Sequence, residues 1–309
     1  MDTAVVAAVQ ATPVFLDRDA TVEKVCELVA KAGAERAKLV VFPETFVPTY
    51  PDWVWRTSPW SDGAWYEKLL AEAVTVPSPA TDRMGEAARA AGAWVAVGIN
   101  ELDRVSSTIY NSLLYLAPDG SVAGVHRKLM PTGGERTVWG QGDGSGLFVL
   151  DTAFGRLGGL LCWENYMPLA RAAMYAQGID VYVAPTWDNS DVWVPSMRHI
   201  AKEGRVFVVT TNSCLRGSDV PDSLPGRDDL YAGDDDWMSR GNTTIIGPEG
   251  EILAGPLLEA EGILYAEIDV ARARASRRQF DPVGHYSRSD VFQLHVDRRP
   301  KPPVTFEEA

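Results

Sequence analysis

Four residues of this chain have side chains and surroundings suited to covalent chemistry. Cys162 ends the apolar run Leu157-Gly158-Gly159-Leu160-Leu161, and a helical pattern follows it. A thiol at a strand-to-helix turn lies near the positive end of a helix, which favours thiolate and makes a nucleophile. The same position also suits an inert core cysteine, since free Cys is among the most buried residue types. Gly158 and Gly159 permit close backbone approach, and Trp163-Glu164-Asn165 puts polar groups where a structural strand end has no need of them. Glu44 follows the run Leu39-Val40-Val41-Phe42 and Pro43. A carboxylate at the end of a buried strand is placed for a cleft, where partial desolvation raises its pKa and makes it a usable base. Lys128 and Glu135 share the segment His126 to Arg136, which Pro131 and the pair Gly133-Gly134 mark as a loop. Taken singly, Glu44, Lys128 and Glu135 also fit solvated surface charges.

Other constellations are absent or weak. No Gly-x-Ser-x-Gly elbow occurs. Gly140-Gln141-Gly142-Asp143-Gly144 lacks the amphipathic helix that a phosphate-binding loop needs. His126, His199, His285 and His295 are scattered, and His199 falls in a helical pattern as a structural residue. Cys26, Cys162 and Cys214 form neither a disulfide framework nor a zinc motif, so no metal is expected.

The elements that must position these residues read as alternating strands and helices. Val5 to Val9 is a buried strand. Asp19 is the expected cap of a helix with the stripe Val22, Val25, Cys26, Val29 and Ala32. Leu39 to Phe42 is a strand, residues 80–91 a helix, and Trp94 to Ile99 a strand. Ile109 to Leu116 and Ser121 to Val125 form a hairpin about Pro118-Asp119-Gly120. Phe148 to Leu150 and Leu157 to Leu161 flank a turn at Phe154-Gly155. After Cys162, Asn165 is the expected cap of a helix with Pro168 early, a buried stripe of Leu169, Ala172, Ala173 and Ala176, and Gly178 at its end. Val181 to Ala184 and Phe207 to Thr211 are strands with a helix at Pro195 to Glu203 between them. A hairpin turning at Gly247-Pro248-Glu249-Gly250 and a strand at Ile263 to Ile268 follow. Residues 216–241, with the acidic run Asp234-Asp235-Asp236, read as a long loop with a solvated charge run. One domain over residues 1–295 and a Pro-rich tail over 296–309 are expected.

The whole chain narrows the function classes. It has 309 residues, 46% hydrophobic and 23% charged, as a globular protein does. A net charge of -13 argues against nucleic acid and against an anionic membrane surface. No run reaches the length of a membrane span, and Asp2 with the short apolar stretch after it does not read as a secretory leader. A reducing cytoplasm is the expected location.

Together the segments resemble a known family. Phe42-Pro43-Glu44-Thr45-Phe46, Arg127-Lys128-Leu129-Met130-Pro131-Thr132, Glu135-Arg136-Thr137-Val138-Trp139-Gly140 and Cys162-Trp163-Glu164-Asn165 are similar, in order and spacing, to the nitrilase branch of the carbon–nitrogen hydrolase superfamily. The resemblance covers roughly residues 4–290 and implies an α/β fold, a four-layer αββα sandwich with two face-to-face β-sheets flanked by helices. It implies Cys162 as nucleophile, Glu44 as general base, Lys128 as the cation at the tetrahedral intermediate with a backbone N–H near Trp163, and Glu135 as a second carboxylate. It implies no cofactor, a small-molecule nitrile substrate, and a homodimer or larger homo-oligomer, helical assemblies included, with the helix after Cys162 as the dimer element. Amidases and carbamoyl hydrolases of the superfamily share Glu, Lys and Cys; a scaffold without catalysis has no need of all four. Trp163-Glu164 after the cysteine points to the nitrilase side. Tyr50, Trp163 and Trp187 are the candidate substrate-binding residues, with Trp187 limiting substrate bulk.

Overall fold

The computed structural model describes residues 3–231, 233, 236–302 and 304. Asp2, the Asp234-Asp235 part of the acidic run, and the tail beyond those limits lie outside the described residues. In chain order the strands are β1 (Thr3–Gln10), β2 (Ala37–Val41), β3 (Trp94–Leu102), β4 (Ile109–Leu116), β5 (Val122–Arg127), β6 (Leu150–Thr152) and β7 (Gly155–Gly159). Then come β8 (Val181–Val183), β9 (Phe207–Thr210), β10 (Cys214–Arg216), β11 (Trp237–Arg240), β12 (Thr243–Ile246), β13 (Ile252–Leu257) and β14 (Gly262–Asp269). The helices are α1 (Arg18–Ala34), α2 (Gly63–Glu72), α3 (Pro79–Ala91), α4 (Pro168–Ala176), α5 (Trp193–Gly204), α6 (Arg227–Leu230) and α7 (Val270–Ser276).

Two six-stranded sheets result, ordered β14-β1-β2-β3-β4-β5 and β13-β12-β9-β8-β7-β6. In the first, β1, β2 and β3 run parallel; in the second, β7, β8 and β9 do. Strand side chains alternate between faces. Val6, Ala8, Leu39 and Val41 therefore meet Leu157, Val181, Val183 and Val209 of the other sheet in one core. Their neighbours Ala7, Val9 and Val40 pack beneath α1 and α3. Tyr182 and Val208 pack beneath α4 and α5. Strands covered on both faces read as continuous apolar runs, which is why they were visible as such. The architecture is the αββα sandwich.

Some local expectations change. Asp17, not Asp19, caps α1: its Oδ1 accepts from Ala20 N at 2.9 Å. The stripe Val22, Val25, Cys26, Val29 and Ala32 is buried. A 3-10 turn over Cys162–Tyr166 precedes the next helix, so α4 starts at Pro168 and Asn165 is not its cap. That offset rotates the helix. Ala170, Ala173, Met174 and Tyr175 are buried, while Leu169 is 68% exposed. Residues 216–241 are not one open loop. They hold β11, which pairs with β10, and α6. Val220 and Tyr231 pack with Tyr50, Trp53 and Trp65. α2 and α7 had no clear sequence signal.

Candidate active site

The site forms at the carboxyl ends of strands from both sheets, the usual position of a cleft in open α/β sheets. Glu44 follows β2, Lys128 follows β5, Cys162 follows β7 and Thr186 follows β8. Glycines bring these ends close. A Cβ on Gly98 of β3 would lie 2.3 Å from both Pro43 O and Thr45 N, so only glycine lets the Glu44 turn pack there. A Cβ on Gly159 would lie 1.9 Å from Val183 O, which holds β7 against β8 just before Cys162.

Lys128 is fully buried and its Nζ donates to Glu44 Oε1 and to Glu135 Oε2, both at 2.8 Å. A buried ammonium is tolerable only with such partners. Burial alone would lower the Lys128 pKa; Glu44 and Glu135 override it and hold it well above the ordinary value. Glu44 Oε1 also accepts from Asn111 Nδ2 at 2.7 Å, while its Oε2 is buried and has no hydrogen-bond partner among the described residues. Burial, with Glu135 adding to it, raises the Glu44 pKa against the pull of Lys128. Glu135 is pinned on its other side. Its Oε1 accepts from Tyr50 Oη at 2.7 Å, and Oε2 accepts from Thr132 N at 2.6 Å.

Cys162 sits at φ +48°, in the left-handed region that non-glycine residues rarely occupy. Three contacts hold it there. Its N–H donates to Pro185 O at 2.8 Å, Asn165 Nδ2 donates to its carbonyl at 2.8 Å, and Thr186 Oγ1 donates to Sγ at 3.2 Å. Burial and the Glu44 charge push the thiol pKa upward despite Lys128. A thiol raised in this way needs a base to form the thiolate that acts as a nucleophile.

Behind Lys128 and Cys162, Glu164 links two segments. Its Oε1 accepts from Leu129 N at 2.6 Å, and Oε2 accepts from Leu161 N at 2.8 Å and from His126 Nε2 at 2.9 Å. In front of Cys162 lies a cavity of about 460 Å³. Tyr50, Trp55, Trp163 and Trp187 supply aromatic walls, Glu135 and Cys162 reach it from within, and Asp188 to Ser190 edge it. Tyr50 stacks on Trp187 with ring centroids 4.4 Å apart and planes 6° from parallel. Trp163 is half-exposed, and its Nε1 donates to Asp188 Oδ2 at 2.9 Å.

A sequence model of the carbon-nitrogen hydrolase family matches residues 5–278. The chain belongs to the carbon–nitrogen hydrolase family. An aliphatic nitrilase of Sinorhizobium fredii is 43% identical over 96% of this chain and 97% of its own length. Nitrilase 2 of Arabidopsis thaliana is 42% identical over 96% of this chain and 90% of its own. Among solved structures, a carbon-nitrogen hydrolase from Helicobacter pylori superposes with TM-score 0.71 at 23% identity, over 94% of this chain and 97% of that one. Nit3 of Saccharomyces cerevisiae, a member of branch 10 of the nitrilase superfamily, gives 0.71 at 22% identity, over 92% and 96%. These two likenesses speak for the fold.

Within this carbon–nitrogen hydrolase the structure brings Cys162, Glu44, Lys128 and Glu135 to one place, and puts Tyr50, Trp163 and Trp187 at the cavity. Tyr50 does so with its hydroxyl already committed to Glu135. Four partners escaped sequence reasoning. Asn111 was a readable signal, a polar residue inside the apolar run Ile109–Leu116. His126 is one of four scattered histidines, and Glu164 has no partner near it in the sequence. Thr186, next to Trp187, carried no signal of its own. His199 lies on the exposed side of α5 near Glu203 and away from the cavity lining.

Proposed function

We propose that this carbon–nitrogen hydrolase converts an organic nitrile and two waters to the carboxylic acid and ammonia, with Cys162 as nucleophile. The observation that carries the mechanism is the buried Glu44 carboxylate, which shares Lys128 with Glu135, lies within electrostatic reach of Cys162, and has an Oε2 without a hydrogen-bond partner among the described residues. The likeness to relatives named nitrilases, 39–43% identical over nearly their full length, supports the nitrile as substrate.

Glu44 takes the Cys162 proton as Sγ attacks the nitrile carbon, and the proton passes to the nitrile nitrogen, giving a thioimidate. Water, deprotonated by Glu44, adds to that carbon. Lys128 and the backbone N–H at Trp163 stabilise the charge that develops at the tetrahedral centre. Ammonia leaves, a thioester remains, and a second water releases the acid and restores the thiol. Glu135 keeps Lys128 aimed at this centre, and Tyr50 keeps Glu135 in place.

Ammonia release from a panel of nitriles and their matched amides tests this reading. Release from nitriles is expected; release from amides alone would make the chain an amide hydrolase, and release from neither would remove the catalytic reading. Cys162→Ala should abolish turnover in a folded protein.

Residues 1–295 act as one domain with a tail after it. The chain forms a homodimer or a larger homo-oligomer through the face around α4, where Tyr166, Met167, Leu169 and Val192 are exposed. Leu169→Glu should then shift the mass in solution toward the monomer. Among the described residues no helix is long and apolar enough to cross a membrane. A reducing cytoplasm suits a working thiol.

A further inference from the structure

We propose that the cavity over Cys162 sorts nitriles by charge, accepting neutral and cationic ones and rejecting anionic ones, with Asp188 as the residue that enforces the choice. This rests on the nitrile-hydrolysing reading above and adds a substrate class to it. Both charged side chains that line the cavity, Glu135 and Asp188, are acidic; among the described residues no lysine or arginine lines it. Lys128 stands behind this lining, matched by two carboxylates. A substrate carboxylate would find no cation there to receive it.

Asp188 is held in place. Oδ2 accepts from Trp163 Nε1 at 2.9 Å, Oδ1 accepts from Ser190 N at 2.8 Å, and its backbone N–H donates to Thr186 Oγ1 at 2.9 Å. Asn212 and Asn242 donate to its carbonyl. Its negative charge therefore stays beside the Trp163 ring. Of the guanidiniums in the surroundings, Arg240 pairs with Asp191 at 2.6 Å, and Arg136 lies in the adjoining groove, outside the lining of the cavity over Cys162, where its Nε donates to Pro131 O at 3.1 Å. Aromatic ring faces add to the bias, because they attract cations and not anions. One like-charge pair about 6 Å apart, at an effective dielectric between those of water and protein, costs on the order of tenfold in affinity. The same field speeds departure of the acid product, which is itself an anion.

Two measurements test this. The first is kcat/KM for three nitriles of equal length ending in methyl, ammonium and carboxylate. The carboxylate is expected at least about tenfold below the methyl compound, and the gap should narrow in high salt and in Asp188→Asn. Equal turnover of the carboxylate, or a gap unchanged in Asp188→Asn, would overturn the proposal. The second needs no nitrile chemistry: alkylation of Cys162 by iodoacetamide against iodoacetate, located by peptide mass. In both, Sγ forms a bond to carbon as the C–I bond breaks, iodide leaves and the thiol proton passes to base. The amide should be favoured at Cys162 by about tenfold more than it is at a free small thiol. Charge preference without nitrile turnover would sink the nitrile reading and keep the selectivity; turnover without charge preference would do the reverse.

Discussion

His126 Nε2 meets Glu164 Oε2 at 2.9 Å in the interior, and the pair ties the segment carrying Lys128 to the segment carrying Cys162. Glu164 also accepts from Leu129 N and Leu161 N, the backbone neighbours of those two residues. His126 Nδ1 faces Gly146 O at 3.1 Å, so both ring nitrogens face acceptors and the imidazolium satisfies both. Burial opposes that charge, yet Glu164 outweighs it and the His126 pKa is raised. Burial likewise opposes the Glu164 carboxylate, which His126 and the two backbone N–H groups hold below its ordinary value. Burial pushes up the pKa values of Tyr115 and Tyr182, the other titratable groups close to Glu164, and both stay neutral.

Glu164→Gln should cost about 3–5 kcal/mol, as expected for breaking a buried pair. The loss depends on pH. The His126 contribution is complete below its unfolded value of 6.5 and fades as pH rises through the raised folded value. The Glu164 contribution is complete above 4.5 and fades as pH falls through the depressed one. The Tm difference between wild type and variant should be widest between those two unfolded values, and should shrink as pH falls through the depressed Glu164 value and as it rises through the raised His126 value. A difference independent of pH would contradict the ion pair.

Glu44→Gln should lower kcat by roughly 10²–10⁴, the usual worth of a general base. In the wild type the rate should fall as pH drops through the Glu44 value, which burial places above the ordinary 4.5. That acid limb of the kcat/KM profile should be missing in the variant. Its persistence would assign the limb to another group.

Gly98→Ala should damage activity without touching any reacting group. Its methyl would need the space of Pro43 O and Thr45 N, each 2.3 Å away, and would push the Glu44 turn off β3. We expect about 1–3 kcal/mol of lost stability from such overpacking and a fall in kcat. Unchanged kinetics would show that the Glu44 turn tolerates displacement.

Tyr50→Phe should lower kcat more than it raises KM. Its hydroxyl serves Glu135 at 2.7 Å and accepts from Trp55 Nε1 at 3.1 Å, so its loss disturbs the Lys128 carboxylate first. The stacked ring on Trp187 remains as a cavity wall. A rise in KM at constant kcat would instead make Tyr50 a substrate contact.

The sequence was readable where one signal decided the outcome. Apolar runs located the strands because both sheet faces are covered, and Gly178 marks the end of the α4 segment at φ +73°. It was misleading where two signals competed. Asn165 looked like a helix cap, but Asn side chains also bond local carbonyls, and this one donates to Leu160 O and Cys162 O. The resulting 3-10 turn moved the helix start and turned Leu169 outward. Asn111, Glu164 and His126 were each visible as buried-context polar residues, but their partners are 67, 35 and 38 positions away. Local pattern carries no information about such pairings.

The left-handed backbone at Cys162 sets the protein's stability against its purpose. A β-carbon in that conformation costs about 1–2 kcal/mol that glycine would not incur. Loss of the buried sulfur and of its Thr186 contact offsets part of that gain, so Cys162→Gly should fold with close to the natural stability and be chemically silent. A screen that ranks variants of this protein by heat resistance alone would accept the loss of the sulfur, so thermal selection here needs a turnover readout alongside it.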